Sequence, residues 1–416
     1  MTKATKTAQI SAERDQIWVV VGAAAAIFFP GSMVFGMPGL MSPVWGESLG
    51  VSTGALSYIM FFLLAALGIF MFVVGKWTAR LGAKSLIMIG TVLAALAAAM
   101  TAVVTNVWMI YGWAFLIGSA TCFIYSPGIS IVQRCFPRIK GTVSGIVNLT
   151  FGISSALLVP LYRLWIDTFG HATLGLAIGA TTLIIGLLAA QLIAEPRVAL
   201  GKQDSHHQTV DAGTVNIAMT PAQAVRTKDF WLLWVVWSLM GAAGITMVTQ
   251  SVRYGLHLGL SLAGASSILA AFNLTNGLSR LISGVVSDVI GRKLTLVLSF
   301  VAAGVAYLLL AQSHSLGLIL VLAAIIGFGY GTLFACSAPL VAELFGLKHF
   351  GVIFGLVFTS FGFVSGLLGP VATGLILQST ENSYAAAFIF LGLLCFVSAV
   401  LMLFVRQIER IKYGTA

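Results

Sequence analysis

Polar residues divide the chain into twelve apolar stretches, each long enough for a helix to cross a bilayer. Candidate spans run over residues 17–42, 53–75, 84–105, 107–135, 141–166 and 173–194. The second set runs over 230–257, 262–287, 294–312, 316–344, 350–378 and 384–406. A helix rises about 1.5 Å per residue, so about 20 apolar residues cover the hydrocarbon. Only 8% of the 416 residues are charged and 59% are hydrophobic, whereas soluble domains carry about 25% charged residues because their surface faces water. The sequence has no long stretches of alternating polarity, so a membrane barrel is a poor fit. Its 45 glycines suit helices packed backbone to backbone. The expected fold is an all-α polytopic membrane protein of two six-helix bundles.

Placed with its N-terminus in the cytoplasm, the chain puts 19 of its 22 Lys and Arg on the cytoplasmic side, the bias that orients membrane proteins. Only Arg163 and Arg253 fall near the opposite face, and Arg280 lies within a span. The bias accounts for the net charge of +10 without a nucleic-acid partner. Residues 1–16 form a polar tail without the features of a cleaved signal, so the first span is expected to stay as an anchor. Bundles at 17–194 and 230–406 flank a polar cytoplasmic linker, 195–229, and residues 407–416 form a second tail. The linker holds His206 and His207, read as solvated, and ends in Thr220-Pro221-Ala222-Gln223, the signature of a capped helix start. Trp18, Trp45, Trp77, Trp108 and Trp165 lie near span ends and read as interfacial anchors. Cys122, Cys135, Cys336 and Cys395 form no CxxC pair and read as buried small side chains.

The halves repeat. Nine of twenty positions in Gly141–Pro160 recur 210 residues later in Gly351–Pro370. Gly75, Gly82 and Lys84 recur at a 209-residue offset as Gly284, Gly291 and Lys293. Parallel duplication of a six-helix unit places a pathway between the halves, with a substrate site near the bilayer midplane.

The second of these loops reads G-x-x-x-D-x-x-G-R-K, with Gly284, Asp288, Gly291, Arg292 and Lys293. It resembles the cytoplasmic signature of the major facilitator superfamily. The first-half copy keeps Gly75, Arg80, Gly82 and Lys84 but has Ala79 where that superfamily has Asp. The segments Cys135–Gly145 and Ala224–Trp234, together with Arg280, are similar to the monocarboxylate transporter family and its neighbour, the oxalate:formate antiporters. The resemblance implies alternating access, a small monocarboxylate such as lactate or pyruvate as substrate, and a prokaryotic inner membrane as location. Many monocarboxylate transporters carry Asp one turn before this Arg, a pair implicated in proton coupling. This chain has Asn276 there. Both proton symport and anion exchange therefore stay open, and a carboxylate sensor without flux is a third, weaker reading.

Arg280 lies eight residues before Asp288, about 12 Å inside the end of its span. A cation at that depth costs several kcal/mol and usually marks a functional site. All twelve acidic residues fall in loops, tails or span ends, with Glu343 and Asp288 the nearest. A substrate carboxylate would pair bidentately with the guanidinium, and snorkelling toward Glu343 or Asp288 is the structural alternative. Asn276, one turn away, is a second polar contact. Further lining candidates are Tyr330, Phe334, Tyr125, Asn148, Phe358 and Phe28, and Phe28 precedes a helix irregularity expected at Pro30-Gly31. No GxxxxGK[ST] loop occurs, so ATP is not expected as the driver. No cluster of His, Cys or carboxylates suggests catalysis or a metal. The expected coupling ion is the proton, no cofactor is expected, and a monomer in the lipid bilayer is the expected functional form.

Overall fold

The computed structural model describes residues 3–51, 53–137, 139–194, 219–380 and 383–406. His206 and His207 and most of the linker lie outside the described residues. The first half comprises α1 (Lys3–Phe35), α2 (Met37–Leu49), α3 (Thr53–Met100), α4 (Val107–Cys135), α5 (Lys140–Phe169) and α6 (His171–Gln191). A short α7 (Pro221–Val225) follows. The second half comprises α8 (Lys228–His257), α9 (Leu262–Ile290), α10 (Arg292–Leu310), α11 (Leu316–Phe345), α12 (Phe350–Thr359), α13 (Gly366–Ser379) and α14 (Tyr384–Leu403).

Each half supplies six crossings. The 48 residues of α3 break at Gly82, where φ is 74° and ψ is 162°, so one span lies on either side. Gly291 makes the equivalent turn between α9 and α10 with φ 93° and ψ 151°. Only glycine adopts this backbone region without strain, which explains why both signature loops keep it. Among the described residues ten helices are long and apolar enough to cross a membrane. The break in α3 adds a crossing, and α9, which carries Arg280, is the twelfth. The Thr220 capping box forms as expected, with the Thr220 hydroxyl and the Gln223 side chain each serving the other's backbone.

Several expectations need correction. Helix α1 continues through Pro30, and the interruption comes at Gly36, with α2 beyond it. Trp45 is 1% exposed and stacks edge-on against Trp113 at 5.2 Å, so it is core rather than an interfacial anchor. Trp18, Trp77, Trp108 and Trp165 are exposed. The eleventh span holds a π-helical segment, Ser360–Ser365, between α12 and α13. There the Ser365 hydroxyl donates to the carbonyls of Trp237 and Ser238. All four cysteines are buried and none forms a disulfide among the described residues.

The halves meet along two seams, α5 against α9 and α3 against α12. Glycines set both. A Cβ on Gly75 would collide with the backbone of Gly351, and one on Gly141 with the carbonyl of Gly284. Both seams begin at the face that carries the signature loops, called the basic face below. Contact with α3 is extensive along α12 and falls to marginal along α13, and α1 and α8 form no packed seam among the described residues. The halves are thus clamped at the basic face and part beyond mid-helix.

Candidate substrate site

Arg280 is fully buried, at mid-depth on α9 where α5 crosses it. Gly152 makes room for the side chain, since a Cβ there would lie 3.2 Å from the Arg280 Nε. One guanidinium nitrogen donates to the Asn148 carbonyl at 3.5 Å and the other to the Asn276 Oδ1 at 3.4 Å. Both bonds are at the long limit for hydrogen bonding. The Nε is buried and has no hydrogen-bond partner among the described residues.

Three rings surround the cation. The guanidinium carbon lies 4.6 Å from the centroid of Phe334, 5.4 Å from Phe35 and 5.7 Å from Phe151. Each such contact returns about 0.5–2 kcal/mol, which offsets part of the burial cost of several kcal/mol and leaves the donors underused. Neither rim carboxylate helps. Glu343 accepts from Arg292 at 3.2 Å, and Asp288 pairs with Arg292 as well. Snorkelling to either residue is therefore not what the structure shows: no ion pair to Arg280 occurs among the described residues.

The candidate residues fall into two groups. Arg280, Asn276, Asn148, Tyr125, Phe334 and Tyr330 converge. The Tyr125 hydroxyl donates to the Asn148 Oδ1 at 2.7 Å, and the Asn148 amide donates to the Ser144 carbonyl at 2.9 Å. This chain of bonds fixes the carbonyl that faces Arg280. Tyr330 packs edge-on against Phe334 at 5.2 Å, and its hydroxyl makes no hydrogen bond among the described residues. Phe358 sits one layer back, 4.8 Å from Trp237 and 6.2 Å from Phe334. Phe28 stands apart, lining an apolar groove with Ile146 and Ile185. Two helical turns further along α1, Phe35 reaches the arginine in its place.

Phe35, Phe151 and Trp237 are site residues that the sequence reading missed. The seven-residue spacing from Phe28 was a usable signal for Phe35. Phe151 stood in the repeat, and nothing in an apolar helix marked it as facing inward. Trp237 has a buried Nε1 without a hydrogen-bond partner among the described residues and packs 5.0 Å from Phe334.

At the basic face the second-half signature residues form a latch between the halves. Asp288 accepts from the backbone amides of Gly141 and Thr142 at 3.2 and 2.7 Å and from the Thr142 hydroxyl at 2.7 Å. A carboxylate thus caps the positive end of α5 from across the seam. Arg292, 3% exposed, ties Asp288 to Glu343.

Comparison with known proteins agrees with this fold. The chain is 27% identical over 338 residues to the oxalate:formate antiporter of Oxalobacter formigenes, covering 80% of this chain and 77% of that one. It is 26% identical over 388 residues to monocarboxylate transporter 11 of Homo sapiens, covering 90% and 80%. In fold it resembles the E. coli fucose:proton symporter, with a TM-score of 0.69 at 14% identity over 93% of this chain and 98% of that one. The family profile of the Major Facilitator Superfamily matches residues 23–264 and 245–414. The chain, a multi-pass membrane transporter, belongs to the major facilitator superfamily.

Proposed function

We propose that the protein is a secondary active transporter of small monocarboxylates of the lactate or pyruvate type, with Arg280 as the carboxylate site. One observation carries this reading: among the described residues a fully buried arginine has no carboxylate partner and an unbonded Nε. A substrate carboxylate would supply two short, charge-assisted hydrogen bonds in bidentate geometry. The rings of Phe35, Phe151 and Phe334 would pack a short aliphatic body while leaving little room for a second charge. Asn276 and the Tyr330 hydroxyl would be the polar groups that bind a 2-hydroxyl or 2-keto oxygen.

Transport would proceed by rocking of the two halves about this midplane site. With the halves shut at the basic face, this conformation would receive substrate from the opposite side. The charge bias assigns the basic face to the cytoplasm, and a prokaryotic inner membrane and a functional monomer complete the reading. Proton coupling is the first expectation, with the proton carried on the substrate carboxylate or relayed by a phenol such as Tyr330.

A second reading, exchange of anions, draws on a specific feature. Asn276 cannot titrate, and among the described residues no carboxylate or histidine contacts Arg280. An arginine that stays charged would then need an anion in order to reorient. Proteoliposome uptake of labelled L-lactate, with and without internal anion and an inward proton gradient, separates the two. Accumulation in empty vesicles that a protonophore abolishes supports symport. Uptake only into preloaded vesicles, indifferent to pH, supports exchange. No uptake of any small monocarboxylate in either arrangement would refute the substrate class.

A further inference from the structure

The two signature turns occupy matching places in the repeat, yet only one holds a carboxylate. Asp288 caps the Gly141 and Thr142 amides at the start of α5. The corresponding amides in the other half, 210 residues later, belong to Gly351 and Val352 at the start of α12. Facing them, 209 residues before Asp288, stands Ala79, and 209 residues before Glu343 stands Arg134. Both acids of the latch are thus absent from this seam.

A cavity of about 290 Å³ lies at this position, and Ala79, Gly351 and Val352 are among its lining residues. Lys76, Arg80 and Arg134 line it from the first half, and Lys348 and His349 from the second. None of its lining residues is acidic. Ser130 also lines it, is 3% exposed, and has a hydroxyl without a hydrogen-bond partner among the described residues. Clustered cations, a helix start and the Ser130 hydroxyl form a site for an oxyanion, which would gain charge-assisted hydrogen bonds there.

We propose that this cavity binds a phosphate-class oxyanion, either free phosphate or the phosphate of a lipid headgroup, in the role that Asp288 plays on the other seam. The cavity draws residues from both halves, so it is complete only while the basic face is shut. By linkage, a ligand that binds only this state stabilises it. The anion is therefore a clamp that favours the state closed to the cytoplasm, independently of which substrate is carried.

The test uses the full chain in a maltoside micelle free of phosphate. Inorganic phosphate and, separately, phosphatidic acid are titrated while binding and melting temperature are followed. A saturable rise with inorganic phosphate identifies a free anion, and a rise with phosphatidic acid alone identifies a headgroup. The Arg80→Gln/Lys348→Gln double variant is expected to bind the effective probe at least about tenfold more weakly, the loss expected from removing charge-assisted hydrogen bonds. Ala79→Asp restores the internal carboxylate and is expected to melt higher without any probe and to lose the response. Should Ala79→Asp not fold, the double variant alone decides. The proposal is overturned if neither probe shifts the wild type, if the double variant responds equally, or if a folded Ala79→Asp keeps the full response.

Discussion

On the seam between α5 and α9 the second half presents Arg280, Asp288 and Arg292, whereas at the matching positions between α3 and α12 the first half presents Met71, Ala79 and Ala83. The packing is the same on both sides. A Cβ on Gly145 would lie 2.8 Å from the Arg280 carbonyl, and one on Gly355 would lie 2.6 Å from the Met71 carbonyl. Duplication thus preserved the close helix crossings, which any side chain at those glycines would prevent. The buried arginine and the carboxylate latch sit on one seam only. The charged seam carries the proposed substrate site and a latch of fixed protein charges. The other seam keeps the skeleton, with Met71, 1% exposed, where the arginine would be, and carries basic residues at its rim.

Four substitutions break or sharpen this contrast. Arg280→Lys retains the charge but loses the planar fork, so L-lactate uptake is expected to fall by at least about 100-fold, with protein yield and melting temperature little changed. Asp288→Asn weakens the cap on α5 and the pair to Arg292. It is expected to shift the balance of the basic face toward opening by about 2 kcal/mol, read as faster labelling of a cysteine introduced in that seam. Tyr125→Phe removes the 2.7 Å bond to Asn148, a loss of about 1 kcal/mol, so KM should rise about fivefold with the maximal rate kept. Met71→Leu, a volume-conserving change on the seam between α3 and α12, is expected to alter uptake by less than about twofold. If Met71→Leu matched Arg280→Lys in effect, the functional asymmetry of the seams would be lost.

Much of this architecture was legible in the sequence because the membrane permits so few solutions. Spans of apolar residues, the Lys and Arg bias and a loop whose Gly-x6-Gly-x-Lys spacing occurs in both halves pointed to the helices, their order and the turns at Gly82 and Gly291. Arg280 was legible for the same reason, as a lone charge in an apolar span. The rings around it were not. In helices apolar on every side, an inward-facing Phe35 or Phe151 has no polar stripe to distinguish it from a lipid-facing neighbour. Trp45 was misread on this account, since nearness to a span end does not reveal which way a side chain points. Nor did the sequence show that Asp288 reaches the start of α5, because that contact crosses 146 residues of chain and depends on how the halves dock. The π segment at Ser360–Ser365 likewise coincides with a contact distant in sequence, that of Ser365 with α8.

The central claim is that the guanidinium of Arg280 holds the carboxylate of a small monocarboxylate. Calorimetric titration of L-lactate into purified wild type and Arg280→Gln tests it most directly, with circular dichroism and melting temperature confirming that both are folded. The account predicts saturable binding to the wild type and none to the folded variant. Equal binding to both would show that the carboxylate is held elsewhere.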